Sequence, residues 1–118
     1  MKAVLIVEDE EQIAALLCEL LEDEGYRARR AENGREALDL LAESRPDLII
    51  SDLMMPVMDG WAFLRALRGD PEYQHMPVII LSAAHASAIP QDLSHTVVIR
   101  KPFRLDHVAS TVAQLLDG

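Results

Sequence analysis

The chain has 118 residues, the size of one compact domain that buries its own core without a metal or disulfide staple. Its 11 basic and 20 acidic residues leave a net charge of −9, and the stretch from Glu8 to Glu24 carries eight acids with no Lys or Arg. That balance excludes sequence-independent binding to nucleic acid and disfavours anionic membranes, since both need clustered cations. No apolar run reaches the roughly 18–20 residues of a membrane span, and Met1-Lys2 runs directly into a short apolar segment without a signal-peptide cleavage pattern. The expectation is a soluble, cytoplasmic protein with one domain over residues 1–118. Cys18 has no second cysteine to pair with and reads as a thiol buried in an apolar helix face.

In chain order, Ala3–Val7 is a continuous apolar run of strand length, as expected for a strand buried on both faces. Glu11–Glu24 follows with Ile13, Leu16, Leu17, Leu20 and Leu21 at helical spacing, and Gly25 stands at the position of a C-terminal helix cap. Tyr26–Ala31 is an Arg-laced edge strand. After the Asn33-Gly34 turn, Ala37, Leu38 and Leu41 mark a helix ending before Pro46. Leu48, Ile49 and Ile50 form a buried strand leading into Ser51-Asp52. Asp59 caps a helix that carries Trp61, Phe63, Leu64 and Leu67. Val78–Leu81 is a strand ending at Ser82, and the helical signal from Ala83 to Asp92 is poor, with Pro90 inside it. Thr96–Ile99 is a β-branched strand that ends at Arg100-Lys101-Pro102, and Leu105 to Leu116 is a final amphipathic helix. Strands alternating with helices predict an α/β fold, a parallel sheet covered by helices on both faces. Ligands bind such sheets outside the carboxyl ends of the strands.

Those ends carry a consistent set: Glu8-Asp9 after the first strand, Asp52 after the third, Ser82 after the fourth and Lys101 after the fifth. Three converging carboxylates repel one another and call for a cation. A hard divalent ion such as Mg²⁺ suits them. Lys101 is one of two lysines in a chain whose other cations are all Arg, which points to a compact charge at that position. Each residue alone has an ordinary reading as a solvated turn or capping residue. Their joint placement at one rim carries the functional reading.

The runs Val4-Leu5-Ile6-Val7-Glu8-Asp9-Glu10 and Asp52-Leu53-Met54-Met55-Pro56-Val57-Met58-Asp59-Gly60, with Ser82-Ala83 and Lys101-Pro102-Phe103, resemble the signature of bacterial response-regulator receiver domains, of the chemotaxis-regulator type, over essentially the whole chain. The resemblance implies a doubly wound, flavodoxin-like five-stranded parallel sheet with strand order 2-1-3-4-5 and a short or irregular fourth helix. It further implies two-component phosphorelay signalling in which Asp52 takes a phosphoryl group from a phosphohistidine on a sensor histidine kinase or histidine phosphotransfer protein. Glu8, Asp9, Asp52 and the backbone carbonyl of Met54 would hold Mg²⁺, for which Mn²⁺ would substitute. Ser82 and Lys101 would contact phosphoryl oxygens, and Lys101-Pro102 matches a dipeptide often cis in the family. Such a protein assists its own phosphorylation and dephosphorylation without turning over a separate substrate, and its output is protein–protein contact.

Two features depart from the pattern. Val98 stands three residues before the lysine, where receiver domains usually carry Tyr or Phe. The Ser82 to Lys101 stretch is short and holds Pro90, which predicts weak order over Ala84–His95. Met54 and Ala84 occupy positions that tune phosphoryl lifetime in the family, and neither positions a water, so slow dephosphorylation is expected. His75, His85, His95 and His107 show no metal-ligand spacing and are not read as ligands. The five glycines form no nucleotide loop. Met54, Met55 and Met58 read as local packing. The chain stops after the final helix with no DNA-binding or enzymatic output module, so the expectation is either a stand-alone regulator acting by protein contact or a receiver excised from a larger protein. Two other readings stand beside this one: a constitutive adaptor that has lost switching, and a small aspartyl-phosphate hydrolase of the haloacid dehalogenase type. The second needs an Asp where Met54 stands.

Overall fold

The computed structural model describes residues 1–83 and 94–117. In order, the elements are β1 (Ala3–Val7), α1 (Glu11–Asp23), β2 (Arg27–Ala31), α2 (Gly34–Glu43), β3 (Leu48–Asp52), α3 (Gly60–Arg68), β4 (Val78–Ser82), β5 (Thr96–Arg100) and α4 (Leu105–Asp117). All strands pair in parallel, in the order β2-β1-β3-β4-β5. The order reverses between β1 and β3, and the expected doubly wound fold is present. The helix expected after Ser82 and the weak order expected over Ala84–His95 lie outside the described residues, apart from Ser94 and His95, which form a turn.

The sheet is two-sided because strand side chains alternate between faces. In β1, Val4 and Ile6 enter one apolar cluster with Leu17 and Leu21 of α1 and with Val108 and Val112 of α4. Leu5 and Val7 enter the other, with Ala37 and Leu41 of α2 and Phe63, Leu64 and Leu67 of α3. β1, β3 and β4 are therefore apolar on both faces and almost wholly buried. β2 lies at one edge with Arg27 and Arg29 exposed, and charge there keeps its open side from pairing with another chain.

Local chemistry sets the helix ends. Asn33 Oδ1 accepts from Glu36 N–H at 2.9 Å, and Asp59 Oδ1 accepts from Ala62 N–H at 2.8 Å. These side chains satisfy donors that a helix start leaves unpaired. Gly25, just beyond α1, has φ +91°, a conformation glycine adopts without a Cβ penalty.

Three side chains sit differently from their sequence reading. Leu16 is 45% exposed rather than packed. Its place at the edge of the α1 stripe turns it toward Pro102 and Phe103, across an open apolar groove. Cys18 is half-buried, lying against the α1/α4 cluster, and burial raises its thiol pKa, which makes it a poor nucleophile. Met55 and Met58 pack on the α2/α3 cluster, but Met54 points to solvent.

Candidate functional site

The carboxyl ends of β1, β3, β4 and β5 share one rim, where parallel pairing places Asp52 beside Leu81 and Ser82 beside Arg100. Backbone bonds hold the rim together. Lys101 N–H donates to Ser82 O at 2.6 Å, Leu53 N–H to Leu81 O at 2.9 Å, and Gly60 N–H to Leu53 O at 2.8 Å. The last bond folds the β3–α3 loop back over Asp52. The Lys101-Pro102 peptide bond is cis.

Glu8, Asp9 and Asp52 each offer a carboxylate oxygen, and these lie within 4.8 Å of one another. Glu8 and Asp52 are buried and Asp9 is exposed. Lys101 Nζ stands 2.7 Å from Asp52 Oδ1 in an ion pair open to water on the lysine side. Glu8 Oε2 accepts from Glu10 N–H at 3.1 Å, while Glu8 Oε1 is buried with no hydrogen-bond partner among the described residues.

The electrostatics follow from this crowding. Burial, with the Asp52 charge adding to it, pushes Glu8 up to about 7 against the pull of Glu10 N–H. Asp52 is also raised, chiefly by burial, with the Lys101 ammonium opposing. Burial disfavours the charged form of Lys101, but its bond to Asp52 outweighs that and holds the ammonium above its usual range. The rim thus carries more negative charge than one lysine offsets, and it includes a buried oxygen without a donor. Both features suit a hard cation with oxygen ligands.

Ser82 lies at the end of β4, 1% exposed, with its hydroxyl donating to Ala83 O at 2.9 Å. The structure shows no bond from this hydroxyl to Asp52 or Lys101. Met54 follows Asp52 in the loop to α3 with its side chain 69% exposed. Val98 is half-buried and packs against the α2/α3 cluster.

Arg30 was invisible in the sequence reading. From β2, its Nε donates to Glu8 O and its Nη2 to Asp9 O, both at 3.1 Å, while Glu8 N–H donates to Ala31 O at 3.0 Å. One fork therefore holds the backbone of both loop carboxylates. The only sequence signal was an Arg next to the end of an edge strand. Arg30→Lys keeps the charge but cannot span two carbonyls from a rigid plane. It is expected to weaken any divalent-cation binding at the carboxylates about tenfold, the usual scale for residues that orient ligands. Calorimetric Mg²⁺ titration checks this, and unchanged affinity counts against the clamp.

A family model for the response regulator receiver domain matches residues 4–113. The chain belongs to that family. Among related receiver proteins, the polar-differentiation response regulator DivK of Brucella anthropi is 45% identical over 82 residues, covering 70% of this chain and 67% of DivK. The receiver domain of a signal transduction histidine kinase from Syntrophus aciditrophicus superposes with a TM-score of 0.88 at 40% identity, covering all of this chain and 92% of that one. The Vibrio cholerae chemotaxis protein CheY4 superposes at 0.85 with 33% identity, covering 98% and 99% of the two chains. As a receiver domain of two-component response regulators, the chain is a signalling protein rather than a conventional enzyme, of a family whose partners are histidine kinases and downstream targets. Among the described residues, no helix is long and apolar enough to cross a membrane.

Proposed function

We propose that this receiver domain is a Mg²⁺-dependent phosphoacceptor that takes a phosphoryl group onto Asp52 from a phosphohistidine of a sensor kinase or phosphotransfer protein. The observation that carries the reading is the Asp52–Lys101 pair set against two further carboxylates at one rim. Glu8, Asp9, Asp52 and the Met54 carbonyl are the proposed Mg²⁺ ligands, and the partnerless Glu8 Oε1 supports their fit to a cation. When bound, Mg²⁺ supplies charge neutralisation for an incoming phosphoryl group.

The residues of the chain then divide the work. Lys101 engages Asp52 Oδ1, which leaves Oδ2 as the attacking oxygen. An O–P bond forms at Asp52 as the donor's N–P bond breaks, and the donor imidazole keeps the electron pair and takes a proton. Lys101 offsets charge on the transferred group, since phosphoryl transfer depends mainly on positioning and electrostatics. The Ser82 hydroxyl, now on Ala83 O, turns to a phosphoryl oxygen. The apolar groove of Ile13, Leu16, Pro102, Phe103 and Leu105 borders Lys101 and supports docking of the phosphodonor there. With Val98 at the usual aromatic position, output proceeds by contact surfaces other than an inward-turning ring.

Incubation with acetyl phosphate and Mg²⁺, followed by intact mass measurement, tests the reading. The wild type is expected to gain the mass of one phosphoryl group, and Asp52→Asn to gain none. A wild type that stays unmodified removes the phosphoacceptor role. The aspartyl phosphate is also expected to be long-lived, because the exposed Met54 side chain offers no group to position water. Loss of radiolabel within seconds would contradict that.

A further inference from the structure

The opposite rim of the sheet, where the strands begin, holds a pair of ligating groups. His75 precedes β4 and His95 immediately precedes β5, and the pairing of Val78 with Thr96 brings these two entries together. His75 Nδ1 lies 3.2 Å from His95 Nε2, with the ring centroids 5.0 Å apart and the planes at 76°. The histidines are 20 positions apart in the chain, too far for any short ligand motif, so the fold alone unites them.

The backbone beneath each ring is anchored. His95 O accepts from Val78 N–H at 3.0 Å and from an Arg68 guanidinium nitrogen at 3.2 Å. Arg68 also donates to Tyr73 O at 2.8 Å, which ties the two loops together. Next to His75, Met76 is fully buried. His95 itself adopts φ 58°, a left-handed conformation that non-glycine residues hold only when their surroundings impose it.

We propose that His75 Nδ1 and His95 Nε2 form a two-point site for Zn²⁺, independent of the carboxylate rim. Zn²⁺ binds imidazole nitrogen at about 2.0–2.1 Å, so two such ligands of a tetrahedral ion stand about 3.3 Å apart. The observed 3.2 Å needs almost no adjustment. The 5.0 Å centroid separation suits two imidazoles converging on one tetrahedral ion as well as it suits the bent N–H···N hydrogen bond now joining the rings. Ligation requires both facing nitrogens to be bare, so the hydrogen shared between them moves to the outward nitrogen of the ring that carries it. Water completes the coordination. Imidazole selects Zn²⁺ where carboxylate oxygens select Mg²⁺, so the two rims take different ions.

The test is a ZnCl₂ titration of the full chain in saturating Mg²⁺, followed by calorimetry and by long-range imidazole proton–nitrogen correlation spectra. His75 Nδ1 and His95 Nε2 are expected to shift together and to saturate at a single equivalent. His75→Gln, and His95→Asn, whose side chain tolerates the left-handed backbone, are each expected to weaken Zn²⁺ binding at least tenfold with amide spectra intact. His107→Gln is expected to bind as wild type does. Wild-type affinity in His75→Gln overturns the proposal, as does Zn²⁺ that moves only His85 or His107 or is displaced by excess Mg²⁺.

Discussion

Gly60→Ala is expected to destabilise the fold by about 3 kcal/mol and to lower the melting midpoint by on the order of 10 °C. A Cβ at this position meets Asp52 O at 2.7 Å and Leu53 Cα at 2.9 Å. Both are backbone atoms at the exit of β3, and neither can swing aside as a flexible side chain would. Relief requires α3 to move away from β3, which breaks the 2.8 Å bond from Gly60 N–H to Leu53 O and displaces Asp52 from Lys101. The proposed phosphorylation at Asp52 is therefore expected to fall along with stability. Gly34→Ala is the control. There the Cβ approaches the Met58 thioether at 3.0 Å, and a flexible methionine rearranges, so the cost stays within about 1 kcal/mol. Equal melting midpoints for the two variants would contradict the close-approach argument.

Glu8→Gln is expected to stabilise the metal-free protein at pH 8 by about 3 kcal/mol while abolishing its response to Mg²⁺. The folded carboxyl titrates near 7 against an ordinary 4.5, with burial the main cause. Between those values the folded state holds a proton that the unfolded state has released, so wild-type stability declines as pH rises through this window. The contribution of neutral Glu8 is complete below the lower value and gone above the upper one. Gln mimics the neutral acid at every pH, so its denaturation free energy lacks that decline. Mg²⁺ is expected to restore wild-type stability at pH 8 and to leave the variant unchanged. Urea denaturation in chelator at several pH values, then with Mg²⁺, measures both effects. Parallel pH profiles for the two proteins would place the strain elsewhere. The rim thus costs stability in the form described, a common pattern where function demands buried charge.

Much of this was legible in the chain itself. Val4 to Val7, Leu48 to Ile50 and Val78 to Leu81 are continuous apolar runs because their strands are covered on both faces, and such runs are hard to mistake. The carboxylates, Ser82 and Lys101 could be placed because a parallel sheet sends every strand end to the same rim. Harder to read was anything created by neighbours in space. Leu16 fits the helical period of α1 as well as Leu17 does, and only the packing of α1 against the sheet shows which of them is covered. Arg30 looked like an edge-strand charge, since its partners are carbonyls and backbone oxygens leave no trace in side-chain patterning. His75 and His95 carried no signal at all, because strand register brings them together rather than spacing.

The Arg30 fork makes the acidic loop answerable to the outermost strand. β2 has a neighbour on one side only, and marginal strands are the first to peel away in local opening. If β2 slips by one residue, Arg30 turns to the other face and the carbonyls of Glu8 and Asp9 lose their common tether. The proposed cation site then depends on the completeness of the whole sheet. On that reading, a half-assembled or partly unzipped copy lacks the cation that phosphoryl transfer needs, so it takes no signal from finished molecules.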